Sequence, residues 1–122
     1  MPPLTILYAE ANTVLMLNVT EMLEDEGWRV EACRDGLKAR AKIEGDTEYD
    51  LLLLDSELPG VNGLELVRLA RKLIHRRYTP IIMLSTMELG REARSAGVNL
   101  FLKKTENIYA IVAAVLKLSG RS

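Results

Sequence analysis

The sequence is poor in the features that would commit a chain to a special environment. Cys33 is the only cysteine in 122 residues, which excludes an intrachain disulfide framework and a multi-cysteine zinc site and agrees with a reducing compartment. Neither charge dominates. Sixteen basic residues face 17 acidic ones for a net charge of -1, so no global field selects nucleic acid, an anionic membrane or acidic substrates. No apolar stretch approaches a membrane span, and the start Met1-Pro2-Pro3-Leu4 lacks the basic and long apolar regions of a signal peptide. A cytoplasmic location without membrane contact is therefore expected. Repeats, low-complexity tracts and Pro/Ser-rich linkers are also missing. A hydrophobic content of 48% suits one core, so a single domain over residues 1–122 is the expectation.

The informative stretch is Tyr49-Asp50-Leu51-Leu52-Leu53-Leu54-Asp55, followed by Ser56-Glu57-Leu58-Pro59-Gly60-Val61-Asn62-Gly63. A short, fully apolar run that ends at a turn signal reads as a strand buried on both faces. Asp55 then stands at its carboxyl end, where open α/β sheets place their chemistry.

Four further runs read as strands: Thr5 to Ala9, Arg29 to Cys33, Ile81 to Ser85 and Leu100 to Lys103. Cys33 is expected as a buried strand thiol, and Trp28 as packing. Between the strands lie segments of helical period. Asn12 is placed to cap one running to about Glu26, Asp35 one to about Ile43, and Asn62-Gly63 one to about Ile74. A weak helix is expected between Met87 and Ala96, where Gly90 would cost about 1 kcal/mol in a helix interior. The last helix carries Ile108, Ile111, Val112, Val115 and Leu116 on one face, with Thr105 placed to cap it and Gly120 to end it. Alternating strands and helices imply a doubly wound α/β sheet of five parallel strands with helices on both faces.

Four strand ends converge on one crevice of such a sheet: Glu10, Asp55, Ser85 and Lys104. A carboxylate nucleophile, a second acid for a hard divalent cation, a hydroxyl donor and an ammonium are suited to forming and holding an acyl phosphate. By that chemistry the crevice points to phosphoryl transfer onto aspartate.

In order and spacing, Glu10, Asp55 with Pro59, Gly60 and Gly63, Ser85 and Lys104 resemble the receiver domain of bacterial two-component response regulators, over Leu4 to about Leu118. The resemblance implies a flavodoxin-like sheet of order 2-1-3-4-5 and Asp55 as phosphoacceptor. It implies Mg2+ held by Glu10, Asp55 and the backbone carbonyl of Glu57, with Ser85, Phe101 and Lys104 as switch and phosphoryl-binding residues. A sensor histidine kinase or phosphotransferase and a downstream protein are the implied partners, with no nucleic acid bound by this domain and a monomer or weak homodimer as its state. Val14, Met16 and Leu17 make the first helix apolar nearly all round, so they are read as a candidate partner surface.

Three positions depart from the family pattern. Ala11 stands where the family has a metal-binding acid, so weak Mg2+ binding is expected unless Glu10 or the side chain of Glu57 compensates. The interval from Ser85 to Lys104 is a few residues short, so the fourth helix is expected to be truncated. Thr105 replaces the family's usual proline. These departures motivate an alternative, a degenerate receiver that binds proteins without phosphorylation. The basic run Arg71 to Arg77 is expected as a solvated helix end, with no metal role for His75. An aspartate-dependent phosphatase is disfavoured because position 57 is Glu57, and a flavin site because no phosphate loop follows the first strand.

Overall fold

The computed structural model describes residues 2–104 and 107–120. Its five strands are β1 (Thr5–Ala9), β2 (Arg29–Cys33), β3 (Leu51–Asp55), β4 (Ile81–Ser85) and β5 (Leu100–Lys103). All pair in parallel, in the order β2-β1-β3-β4-β5. The helices are α1 (Thr13–Asp25), α2 (Gly36–Glu44), α3 (Gly63–Lys72), α4 (Gly90–Ala96) and α5 (Tyr109–Ser119).

Local chemistry starts the first three helices. The side-chain oxygens of Asn12, Asp35 and Asn62 accept the N–H groups of Leu15, Lys38 and Glu65, supplying partners that the first helical turn lacks. The fourth helix has seven residues, as short as its sequence implied. Gly90 is its first residue rather than an interior one, so the expected helix penalty does not fall there. Gly120, at φ 72°, ends α5 in the left-handed region. The expected cap at Thr105 and its replacement of proline lie outside the described residues.

Strand alternation sorts the core into two layers. Leu7, Ala9, Leu52, Leu54, Ile81 and Met83 meet α2, α3 and α4 through Ile43, Leu66, Val67 and Ala93. Ile6, Tyr8, Leu51, Leu53, Ile82 and Leu84 meet α1 and α5 through Val19, Leu23, Ile111 and Val115. Every residue of β3 and β4 is buried, the condition under which a strand reads as an unbroken apolar run. Trp28 lies in the α1 and α5 layer. Cys33 is buried, and burial pushes its thiol up to about 11.

The basic run is a correction to the sequence reading. Helix α3 stops at Lys72, and two arginines beyond its apolar face turn inward. Arg71 donates from Nε to the Gly97 carbonyl at 2.9 Å and from Nη1 to the Thr79 carbonyl at 2.7 Å, tying α3 to the loops before β4 and β5. Arg76 is only 2% exposed. Its Nε donates to the Ile43 carbonyl at 3.0 Å and its Nη2 to the Gly45 carbonyl at 3.0 Å, so it serves the carbonyls that the end of α2 leaves open. Its guanidinium also stacks 4.8 Å from the centre of the Tyr49 ring. His75 Nε2 lies 2.8 Å from the same Gly45 carbonyl, a structural place. Arg76→Met should keep much of the volume but strip these carbonyls of their donor, lowering unfolding stability by about 1–3 kcal/mol in urea titration. A loss under a few tenths of that would mean water serves the carbonyls as well.

Candidate functional site

Parallel register carries the chemistry-bearing residues to one sheet edge. Ala9 pairs with Leu54, Asp55 with Leu84, and Ser85 with Lys103, so Glu10, Asp55, Ser85 and Lys104 all emerge at the carboxyl ends of their strands. Alternation then decides who faces whom. Asp55 follows Leu51 and Leu53 onto the α1 and α5 side, as Glu10 follows Tyr8 and Lys104 follows Leu102. The same rule sends Lys103 to the other side, where it pairs with Glu88 ahead of α4. The inward lysine is Lys104.

The centre is a buried ion cluster. Lys104 Nζ lies 2.6 Å from Glu10 Oε2 and 3.1 Å from Asp55 Oδ2, while Glu10 is 0% and Asp55 1% exposed. Asp55 Oδ1 accepts the Glu57 N–H at 2.9 Å, and Oδ2 the Ala11 N–H at 3.2 Å. Glu10 Oε2 accepts the Asn12 N–H at 3.1 Å, and Oε1 faces the Tyr8 hydroxyl at 3.5 Å. The backbone of the turn after β3 is pressed against this centre. A Cβ at Gly63 would lie 2.4 Å from the Asp55 carbonyl oxygen, which explains why a glycine opens α3.

Two carboxylates share one ammonium, and their protonation diverges accordingly. Burial is the largest influence on Glu10, and with neighbouring Asp55 it outweighs the Lys104 contact and pushes the carboxyl up to about 7. Burial acts upward on Asp55 too, but the Glu57 N–H, Glu10, the Ala11 N–H and Lys104 together hold it below the usual carboxylate value. For Lys104, burial favours the neutral amine, yet Glu10 and Asp55 outweigh it and raise its pKa. Asp55 is thus the carboxylate of the pair that its surroundings favour in the ionised form.

A pH dependence follows with a definite sign. Between 4.5 and about 7 the folded chain retains a proton on Glu10 that the unfolded chain releases, so this group's contribution to stability falls as pH rises through that window. Asp55 acts in the opposite sense at lower pH, losing its contribution as pH falls through its depressed value, and Lys104 loses its own at high pH. Urea unfolding from about pH 5 to about pH 8 should show the decline in the wild type and a flatter profile in Glu10→Gln. Identical slopes in the two proteins would remove Glu10 as its source.

The remaining sequence candidates take distinct places. Ser85 is fully buried, but strand alternation sets it on the opposite side from Asp55, where its Oγ accepts from the Ser56 hydroxyl at 2.7 Å and the Met87 N–H at 2.9 Å. Phe101 is half-buried against the α2, α3 and α4 layer. The Glu57 side chain is exposed, and its Oε1 accepts the Thr86 hydroxyl at 2.9 Å, so it is engaged across the mouth of the crevice. On α1, Val14 is 68% and Leu17 59% exposed. Met16 departs from that surface, being half-buried with Leu15 against the α5 side of the core, because a helix presents residues 14 and 17 together and turns 16 away. Ala11 is half-buried, contributing only its N–H to Asp55.

Sequence reasoning passed over Tyr8, Ser56 and Thr86. Tyr8 is fully buried, and burial with the nearby acids raises its phenol so that it stays neutral. For Ser56, period-2 alternation was a usable signal, since it shares a face with Leu54 and hence with Ser85 one strand over.

The donor set suits a hard divalent cation in kind, since two carboxylates meet at the centre. Its carboxylates already share the positive charge of Lys104, whose ammonium lies between them. Among the described residues no cluster of three or more His, Cys, Asp and Glu side chains is arranged to hold a metal ion. Any cation would therefore rely on carbonyl oxygen and water as well.

The match to known proteins agrees with this geometry. The model of the response regulator receiver domain matches residues 6–116. The transcriptional regulatory protein TrcR of Mycobacterium tuberculosis is 31% identical over 98% of this chain, which spans about half, 47%, of TrcR. Chemotaxis response regulator CheY4 of Vibrio cholerae superposes with a TM-score of 0.89 at 26% identity, covering 96% of this chain and 99% of its own. The receiver domain of sensor histidine kinase PA1611 from Pseudomonas aeruginosa PAO1, solved with a magnesium ion coordinated in its active site cleft, gives 0.87 at 30% identity over 98% of this chain and 99% of its own. On its sheet order, its strand-end acids and lysine, and a family match over nearly its whole length, this chain belongs to the response regulator receiver domain family of two-component signalling.

Proposed function

We infer that this chain is a cytoplasmic receiver unit that accepts a phosphoryl group on Asp55 and changes its surface for a protein partner. The observation that carries this reading is Asp55 itself. It is buried and ionised at the end of β3, with the Glu57 and Ala11 N–H groups and Lys104 directed at its oxygens. An oxygen of Asp55 attacks phosphorus in a phosphohistidine or small phosphodonor, the bond to the donor breaks, and an acyl phosphate results. Lys104 and the backbone N–H groups are placed to stabilise charge on the transferred group without rearranging the sheet. Glu10, Asp55 and the Glu57 carbonyl would hold Mg2+, which supplies charge neutralisation when bound. Transfer is the acceptor's own chemistry, so the chain acts as a signalling component and not as a turnover enzyme. A sensor histidine kinase or phosphotransferase would supply the group, and exposed Val14 and Leu17 beside the crevice fit the docking of such a partner.

A second reading rests on Ala11 together with the Lys104 bridge. With one acid missing and an internal ammonium between the remaining two, the centre is neutralised in part without metal, as a phosphorylation-independent protein-binding module would require. Amide NMR with Mg2+ and then beryllofluoride, a phosphoryl mimic, separates the two. Shifts around Asp55, Ser85 and Phe101 in the wild type but not in Asp55→Asn support phosphoacceptance. Silence in both favours the binding module.

A further inference from the structure

The buried pair of hydroxyls behind the crevice has no role in phosphoryl transfer as described, yet it holds the residue that would respond to it. A serine oxygen offers two lone pairs and one proton. At Ser85 both lone pairs are filled, by the Ser56 hydroxyl at 2.7 Å and the Met87 N–H at 2.9 Å. Ser85 is 0% and Ser56 6% exposed, so bulk water does not stand in for either.

Ser56 presents its hydroxyl from a rigid backbone. Its N–H donates to the Leu84 carbonyl at 2.9 Å, its carbonyl accepts the Gly63 N–H at 3.1 Å, and a Cβ at Gly63 would lie 2.8 Å from its Cα. To reach a phosphoryl oxygen on Asp55, Ser85 must leave the α3 side of the sheet and turn toward the other. That movement strands the Ser56 hydroxyl in a buried place, which costs free energy.

We propose that Ser56 is a positioning residue that latches Ser85 in its resting orientation, so that the Ser56–Ser85 hydrogen bond sets the resistance of this receiver to switching. The proposal builds on the phosphoacceptor reading of Asp55. It makes the residue directly after the acceptor a determinant of how readily the domain responds, acting through Ser85 and not on phosphorus.

The test compares the full chain with Ser56→Ala, Ser85→Ala and the double variant, each titrated with beryllofluoride in the presence of Mg2+ and followed by amide NMR. Ser56→Ala should tighten apparent beryllofluoride affinity about 2- to 10-fold, the span of one net hydrogen bond. The gain should vanish when Ser85 is already alanine. Before any addition, the Met87 amide should also shift in Ser56→Ala, because its acceptor is released. Unchanged or weaker affinity, or the same gain in the Ser85→Ala background, overturns the latch. The two ideas fail separately. If the wild type binds beryllofluoride and Ser56→Ala gains nothing, the latch alone fails. If neither protein binds it, the phosphoacceptor reading fails and takes the latch with it. A Met87 amide that stays still in Ser56→Ala removes the latch whatever Asp55 does.

Discussion

Asp55→Asn should abolish phosphoryl uptake from a small phosphodonor such as acetyl phosphate, read by intact mass or by a phosphate-affinity gel. The amide replaces a buried carboxylate whose surroundings hold it below the usual carboxylate value, and an amide oxygen does not form the acyl phosphate. The fold should survive the change, because Lys104 keeps Glu10 as a partner at 2.6 Å and the amide oxygen still accepts one of the two backbone N–H groups that Asp55 holds. A folded Asp55→Asn protein that still takes up phosphoryl would move the acceptor elsewhere and end the assignment. Uptake lost together with the folded NMR spectrum would not decide the matter, so Ser85→Ala provides the companion. It should retain acceptance on Asp55 while losing the shifts at Phe101.

Ala11→Asp should raise Mg2+ affinity about 10- to 100-fold, the range associated with one supporting partner of a metal site. Position 11 is adjacent to the centre, since its N–H already lies 3.2 Å from Asp55 Oδ2. The new carboxylate has a cost without metal, for three acids would then share the single ammonium of Lys104, and like charges held close in a buried place oppose ionisation. Two linked outcomes are expected: a lower melting temperature without Mg2+ and a larger rise on adding it, because a ligand that binds the folded state stabilises it by mass action. Isothermal titration and thermal unfolding measure both. Unchanged affinity would show that position 11 does not reach the cation and that Glu10 and carbonyl oxygen carry the site alone.

Much of the fold was legible because its signals are local. All five strands match their apolar runs to the residue, and Asn12, Asp35 and Asn62 cap the helices they precede. Helix ends were less legible. The third was expected to run to about Ile74, yet it stops at Lys72, because Arg71 and Arg76 are drawn away to carbonyls of other segments. A run of arginines reads as a solvated face when only the chain itself is considered. Burial of Arg76 depends on the end of α2, more than thirty residues earlier, a partner that no local pattern names.

The candidate site divides in the same way. Its members were visible as strand-end residues, since an acid at the end of four leucines is a strong local anomaly. Their relations were not. That Glu57 turns to Thr86, and that Met16 folds onto the core while Val14 and Leu17 stay exposed, depend on which face neighbouring elements occupy.

By itself, then, the sequence determined the alternation of strands and helices, the helix starts and the identity of the strand-end acids, because periodicity, caps and turn residues act over a few positions. Tertiary structure alone decided that Glu10 and Asp55 share one ammonium, that their protonation diverges, and that Ser56 holds Ser85 behind the sheet. Those properties arise where strands distant in sequence meet in register, and where burial strengthens each contact by keeping water away.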